Sequence, residues 1–338
     1  MKRCLLAVSI AVLAVPAHGQ DSVAEFYKGK TVRIIVGVGV GSGYDLNARA
    51  LARHLSAHIP GNPGVIVQNQ PGAGSVTMTN TLYNSGPFDG TAIGASFNGL
   101  PTTPLLAPSA TVRFEATKLN WIGSTNRESQ AMYVWHEAPQ QTLNDLYTKE
   151  MIVGAQAPGS TQYDYPALAR ALFGMKFKII TGYEATPKIH LAMERGEVHG
   201  TWANWSTLKA ISSDWIRDKK IRILAQWDLK KHPEMPDVPM FLDVAKTDAD
   251  KQALNLAIAR LEFGRPFFMP PNVPPERVNA VRRAFDATMK DKEFLADAEK
   301  LKIEVDALSG EQVADLVGQL YKTPADVVAR VRAAMEAK

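Results

Sequence analysis

Between Val36 and Arg49 the chain reads VGVGVGSGYDLNAR, with Gly37, Gly39, Gly41 and Gly43 alternating and Ser42, Tyr44 and Asp45 beside them. Glycine takes positive φ freely and lets another molecule approach the backbone. A helix starting behind such a turn leaves N–H groups without partners, facing whatever fills the turn. The chemistry this predicts is anion binding by backbone and hydroxyl donors, with Val38 and Val40 as apolar contacts. Three further turns have a similar make-up: Ala73-Gly74-Ser75, Ser96-Phe97-Asn98 and Ser160-Thr161-Gln162-Tyr163. Tyr183, Trp202 and Asn204 complete the expected ligand contacts. For Asp45 a helix-stabilising role in the first turn competes with ligand contact. For Trp202 the competing role is core packing.

The sequence argues against the common catalytic sets. A dinucleotide loop needs G-x-G-x-x-G, but from Gly37, Gly39 or Gly41 the last glycine falls on Ser42, Tyr44 or Leu46. Gln68 and Asn69 stand where the ribose-binding acid would be. No Lys-Ser/Thr pair follows the glycines, so a phosphate loop is excluded as well. Gly94-Ala95-Ser96-Phe97-Asn98 comes near a nucleophile elbow but ends on Asn98. His54 and His58 have a spacing that can hold a metal, yet both flank an apolar stripe and no acid lies in register. His136, His190, His199 and His232 are scattered, with no carboxylate at motif spacing. No catalytic residue, metal or cofactor is expected.

The elements that must carry these turns alternate between strand and helix, the pattern of an α/β chain. Thr31 to Val36 carries a β-branched apolar run, Val32, Ile34, Ile35 and Val36, and the helix after it buries Ala48, Leu51, Ala52, Leu55 and Ile59 at 3–4 spacing. Val65–Gln68 and Thr91–Ser96 read as the next two strands. Each ends in one of the polar turns, and in open α/β sheets ligands sit at those carboxyl ends. Further strands are expected at Trp121–Thr125, Met132–His136, Met151–Gln156, Phe177–Ile180, Val198–Trp202 and Ile221–Gln226. Leu261–Met269 is read as an extended return crossing. The remainder is read as helices over Pro275–Lys290, Glu293–Leu301, Glu311–Leu320 and Pro324–Ala337, interrupted by one short strand at Lys302–Val305.

Composition bounds the function. The 338 residues suffice for two domains, and 46% hydrophobic with 21% charged residues describe a globular chain. Lys2 and Arg3, the apolar run Leu5–Val15, Pro16 and Ala17-His18-Gly19 read as a secretory leader cut before Gln20. The formal charge of +4 loses two positives with that leader, too weak a bias for a nucleic-acid partner. Cys4, the only cysteine, lies in the leader, so the mature chain has no disulfide and relies on its core.

Several of these segments together resemble the solute-binding receptors of tripartite tricarboxylate transporters, the Bug family. The matching residues are Val36–Arg49, the Asn-x-Pro-Gly-Ala-Gly motif at Asn69–Gly74, Asp89-Gly90-Thr91, Gly159-Ser160, Tyr183–Pro187, Gly196–Val198 with Asn204, and Leu261–Pro274. The chain departs from the family at the first turn, where prolines are replaced by Gly37, Gly39 and Val40, a glycine by Ser42 and an aromatic by Val38. Glu184 stands where a lysine is frequent. The resemblance implies a type II-like periplasmic-binding-protein fold. Each domain would be a mixed sheet flanked by helices, joined by a hinge of crossing strands. Residues 1–19 would be the signal peptide, 20–125 with 245–338 the first domain and 126–244 the second. It further implies a monomeric periplasmic receptor. That receptor would close on a small di- or tricarboxylate, without a salt bridge, and deliver it to a permease of a large and a small subunit.

Two other functions use the same cleft. A secreted hydrolase with Ser42 or Ser160 as nucleophile would need a histidine within hydrogen-bond reach. A sensor presenting bound solute to a signalling protein would use the same closure.

Overall fold

The computed structural model describes residues 18–156 and 159–336. Of the expected leader only His18 and Gly19 fall within that range, and Ala157 and Pro158 before the fourth turn lie outside it. Two mixed sheets, each covered by helices, organise the described residues.

In the first half, α1 (His18–Tyr27), β1 (Thr31–Val36), α2 (Gly43–Leu55), β2 (Gly64–Asn69), α3 (Val76–Ser85), β3 (Ala92–Ala95), the short α4 (Thr103–Leu106) and β4 (Asn120–Ser124) follow in order. β1 lies parallel between β2 and β3. Its Val32, Ile34 and Val36 pack with Leu51 and Leu55 of α2, while Ile35 points into a separate cluster with Phe268. Thr31 and Arg33 on the other face are exposed, so only the carboxyl half of the strand, where Ile35 is covered, is an unbroken apolar run.

The chain then crosses to the second sheet. Its elements are β5 (Gln130–Trp135), β6 (Met151–Gly154), α5 (Thr161–Phe173), β7 (Phe177–Ile180), α6 (Thr186–Glu194), β8 (Gly200–Asn204), α7 (Trp205–Ile211), α8 (Ser213–Arg217) and β9 (Ile221–Trp227). The spatial order is β7-β6-β8-β5-β9, with β5 antiparallel to both neighbours. Along β5, Met132 and Val134 enter one cluster and Ala131 and Tyr133 another, the period of two that a strand imposes.

After α9 (Asp248–Ile258) the chain returns through β10 (Pro266–Met269), which pairs antiparallel with β3 and β4. α10 (Pro275–Thr288), α11 (Lys292–Lys300), β11 (Leu308–Ser309), α12 (Gly310–Leu320) and α13 (Ala325–Glu336) complete it. The first sheet thus has the order β11-β4-β10-β3-β1-β2.

Three details depart from the sequence reading. Leu261 does not begin an extended run: Ala259–Phe263 forms a 3-10 turn that stops at Gly264. Gly264 has φ of 36°, and a Cβ there would sit 2.0 Å from the Asn126 carbonyl oxygen, so only glycine lets the two crossings approach this closely. Lys302–Val305 forms no strand; Ile303, Val305 and Ala307 pack half-buried on the first core, and the pairing falls instead on β11. The C-terminal part is shared between the cores. α10 and α12 pack with the first sheet, whereas Leu254, Leu256 and Ile258 of α9 and Val327, Val328 and Val331 of α13 join the core of the second.

Candidate functional site

The first glycine turn is held from within. Ser42 caps α2 by accepting from the Asp45 N–H at 3.2 Å. The buried Asp45 carboxylate accepts from the Gly41 N–H at 2.9 Å, Arg49 Nε at 3.0 Å and Asn69 Nδ2 at 2.9 Å. Burial acts to raise its pKa, but the Arg49, Gly41 and Asn69 hydrogen bonds outweigh it and hold the carboxyl below its ordinary value. Asp45 is therefore built into the turn as its clamp. Ser75, fully buried with φ of 76°, donates to the Gly37 carbonyl at 3.2 Å and accepts from the Phe97 N–H at 2.9 Å. The three turns of the first sheet are thereby fixed to one another at its carboxyl edge.

Opposite them lies the edge of the second sheet, and between the two is a cavity of about 430 Å³, a size suited to a small organic molecule. From the first half, Val38, Ser42, Gly43, Tyr44 and Asn98 line it; from the second, Ser160, Thr161, Gln162, Trp202 and Asn204 do. Tyr44 stacks on Phe97 at 5.1 Å, and its hydroxyl accepts from the Asn98 N–H at 3.2 Å. Gln162 donates to the Thr186 hydroxyl and the Trp202 carbonyl, both at 3.1 Å. Asn204 caps α7 through its Oδ1, which accepts from the Ser206 N–H at 3.0 Å. Its Nδ2, the indole N–H of the fully buried Trp202 and Nε of Arg265 are buried donors without a partner among the described residues. A buried donor left so costs on the order of 1–3 kcal/mol.

Ala73 and Gly74 line an adjoining cavity of about 350 Å³ that also touches Phe97, Gln156 and Ser160. The other expected contacts line neither cavity. Val40, 76% exposed, sits at the tip of the first turn and Gly41 shapes that turn. Asp45 and Ser75 are used as internal ties. Ser96 is buried beneath the third turn. Tyr163 is half-buried on α5, and Tyr183 packs half-buried on the second core, where burial raises its hydroxyl pKa.

The sequence reading did not single out Glu128, Gln130, Gln156, Thr186, Ala203, Thr207 and Arg265, all of which line the main cavity. Glu128 and Arg265 matter most. They lie on the two crossings between the sheets, 125–129 and 259–265, which are joined by the Glu128 N–H to Leu261 carbonyl bond at 2.8 Å. Their side chains form a buried ion pair. Glu128 also accepts from Asn98 Nδ2 at 2.8 Å, and the Arg265 guanidinium lies 4.2 Å from the Tyr44 ring centre. No local motif marks either residue, and charge alone does not single them out, because Arg127 lies in the same crossing as Glu128 and Arg260 and Glu262 lie in the same crossing as Arg265.

Among the described residues no histidine lines the cavity. His54 and His58 pair with Asp297 at 3.1 Å and Asp291 at 2.8 Å, tying α2 and the turn behind it to α11. No cluster of metal-binding side chains is present among the described residues. None of their helices is long and apolar enough to cross a membrane.

Comparison with known proteins agrees with this architecture. The solute-binding protein TctC from Polaromonas superposes with a TM-score of 0.67 at 20% identity, over 90% of this chain and 99% of that one. An adipate-bound protein from R. palustris gives 0.65 at 18% identity, over 89% and 97%. Malate-bound MatC from Rhodopseudomonas palustris gives 0.62 at 16%, over 88% and 99%. At these identities the likeness shows the two-domain binding-protein fold. The family model for the tripartite tricarboxylate transporter family receptor matches residues 48–332. With that match spanning most of the sequence and both halves of the cleft, the chain belongs to the tripartite tricarboxylate transporter receptor family.

Proposed function

We propose that this chain is an extracytoplasmic receptor. It closes on a small organic carboxylate and hands it to the permease subunits of a tripartite transporter. One observation carries the reading: polar groups from both sheets, Ser42, Tyr44 and Asn98 from the first half and Thr161, Gln162 and Asn204 from the second, line one cleft of molecular size. A carboxylate offers acceptors to several such groups at once. Each hydrogen bond to a charged group contributes about 1.5–3 kcal/mol, so four supply roughly 6–12 kcal/mol before association costs. Micromolar binding needs about 8 kcal/mol net. Apolar contact from Val38 and Phe97 adds to this, while Trp202 is fully buried in the second core. The adipate and malate bound by two structural relatives support the same class. Because the lining comes from both sheets, closure about 125–129 and 259–265 completes the site, a hinge motion. The leader-like N-terminus supports placement in the periplasm.

A thermal-shift screen of dicarboxylates, tricarboxylates, amino acids and aromatic acids tests the proposal, with mass spectrometry of any co-purified molecule. At least one organic acid is expected to raise the melting temperature by several degrees. Absence of any shift, together with a turnover activity, would overturn it.

A further inference from the structure

The cleft contains one negative and one positive side chain, and they neutralise each other. Among the described lining residues only Glu128 and Arg265 are charged. Their side chains are 5% and 12% exposed, so solvent screens them weakly. Each keeps capacity beyond the partners it has in the chain. One Glu128 oxygen faces Arg265 and the other accepts from Asn98, and a carboxylate oxygen has capacity for a second donor. Arg265 gives one nitrogen to Glu128 and the Gly264 carbonyl and keeps a buried Nε without a partner among the described residues.

A ligand with only carboxylates would bring net negative charge against Glu128, while Arg265 is already matched. A ligand with an ammonium and a carboxylate would meet both members with opposite sign and leave the cleft neutral. Resting on the carboxylate-receptor reading, we infer that the cleft selects an amino acid or related ammonium-bearing carboxylate. Glu128 would receive the ammonium, and Arg265 with the donors of the glycine turns would receive the carboxylate. The pair joins the two crossings of the hinge, so this recognition takes place where closure occurs.

Matched trios test the inference by calorimetry on the mature protein at pH 7: L-aspartate, L-malate and succinate; L-glutamate, 2-hydroxyglutarate and glutarate; L-phenylalanine, phenyllactate and 3-phenylpropionate. Within a trio only the ammonium changes. In at least one trio the amino acid should bind about tenfold or more tighter than both partners, the size of one charged hydrogen bond. Glu128→Gln should reduce that preference to about threefold or less. If this variant does not fold by circular dichroism, the double variant Glu128→Gln/Arg265→Met, which removes both charges together, takes its place. Hydroxy or unsubstituted acids binding as tightly as the amino acids in every trio would overturn the inference while leaving the carboxylate receptor standing. A preference that survives removal of Glu128 would overturn its assigned role. Failure of every carboxylate to bind would overturn both readings.

Discussion

Side chains with similar sequence signatures are used in different ways at this site. Ser42 and Ser75 both sit in glycine turns, yet Ser42 lines the cavity and Ser75 is a buried tie between turns. The tie explains Gly37: a Cβ there would lie 2.4 Å from Ser75 Oγ. Gly37→Ala should therefore lower unfolding free energy by about 1–3 kcal/mol through overpacking and loss of the Ser75 geometry. Urea titration checks this, and a change below about 0.5 kcal/mol would refute the role given to Ser75. Asp45 was ambiguous in the sequence because a first-turn acid serves a helix and a ligand equally well. The structure directs its carboxylate to Gly41, Arg49 and Asn69. That choice depends on Asn69, which arrives from the neighbouring strand and cannot be read from local spacing.

Strands and helices were the most legible level, because their apolar periods are local. Phe177–Ile180 forms as read, and most other strands fall within a residue or two of expectation. What holds one element to another was less visible. On the second sheet, His190 of α6 bonds the Tyr133 hydroxyl of β5 at 2.6 Å and the Ser212 hydroxyl before α8 at 3.0 Å. Trp215 covers the ring at 4.5 Å. Burial disfavours the charged imidazole and lowers its pKa to about 4. The ordinary value is about 6.5, so the stability this neutral histidine contributes is complete above that pH and is lost as pH falls towards 4. The loss amounts to about 3 kcal/mol. His190→Gln, which cannot titrate, should lose less stability between pH 7 and pH 4.5 than the unaltered protein does. Equal losses in urea unfolding at the two pH values would refute this.

Across the whole molecule, the two halves meet through charge as well as through the chain crossings. Arg260 donates to Asp164 of α5 at 3.1 Å and to the Gly159 carbonyl at 3.3 Å on one side. On the other it donates to Asn98 Oδ1 at 3.3 Å, after β3 of the first sheet. Arg260 and Asp164 are both buried, so removing one partner strands the other charge. Asp164→Asn should cost about 3–5 kcal/mol, and Asp164→Asn with Arg260→Met less than the single change. Thermal unfolding of the three proteins checks the order, and a double variant no better than the single would refute the pairing. The sequence by itself determined the strand–turn–helix units, the glycine turns at strand ends, the absence of a catalytic motif and the family resemblance. Each depends on residues close in the chain, where spacing fixes geometry. Only the tertiary structure decided that Glu128 and Arg265 share one cleft, that Arg260 bridges the halves, and that α9 and α13 join the second core. These contacts join segments far apart in sequence. Their partners are chosen by how the two sheets pack and where the chain crosses between them, and no local period records that choice.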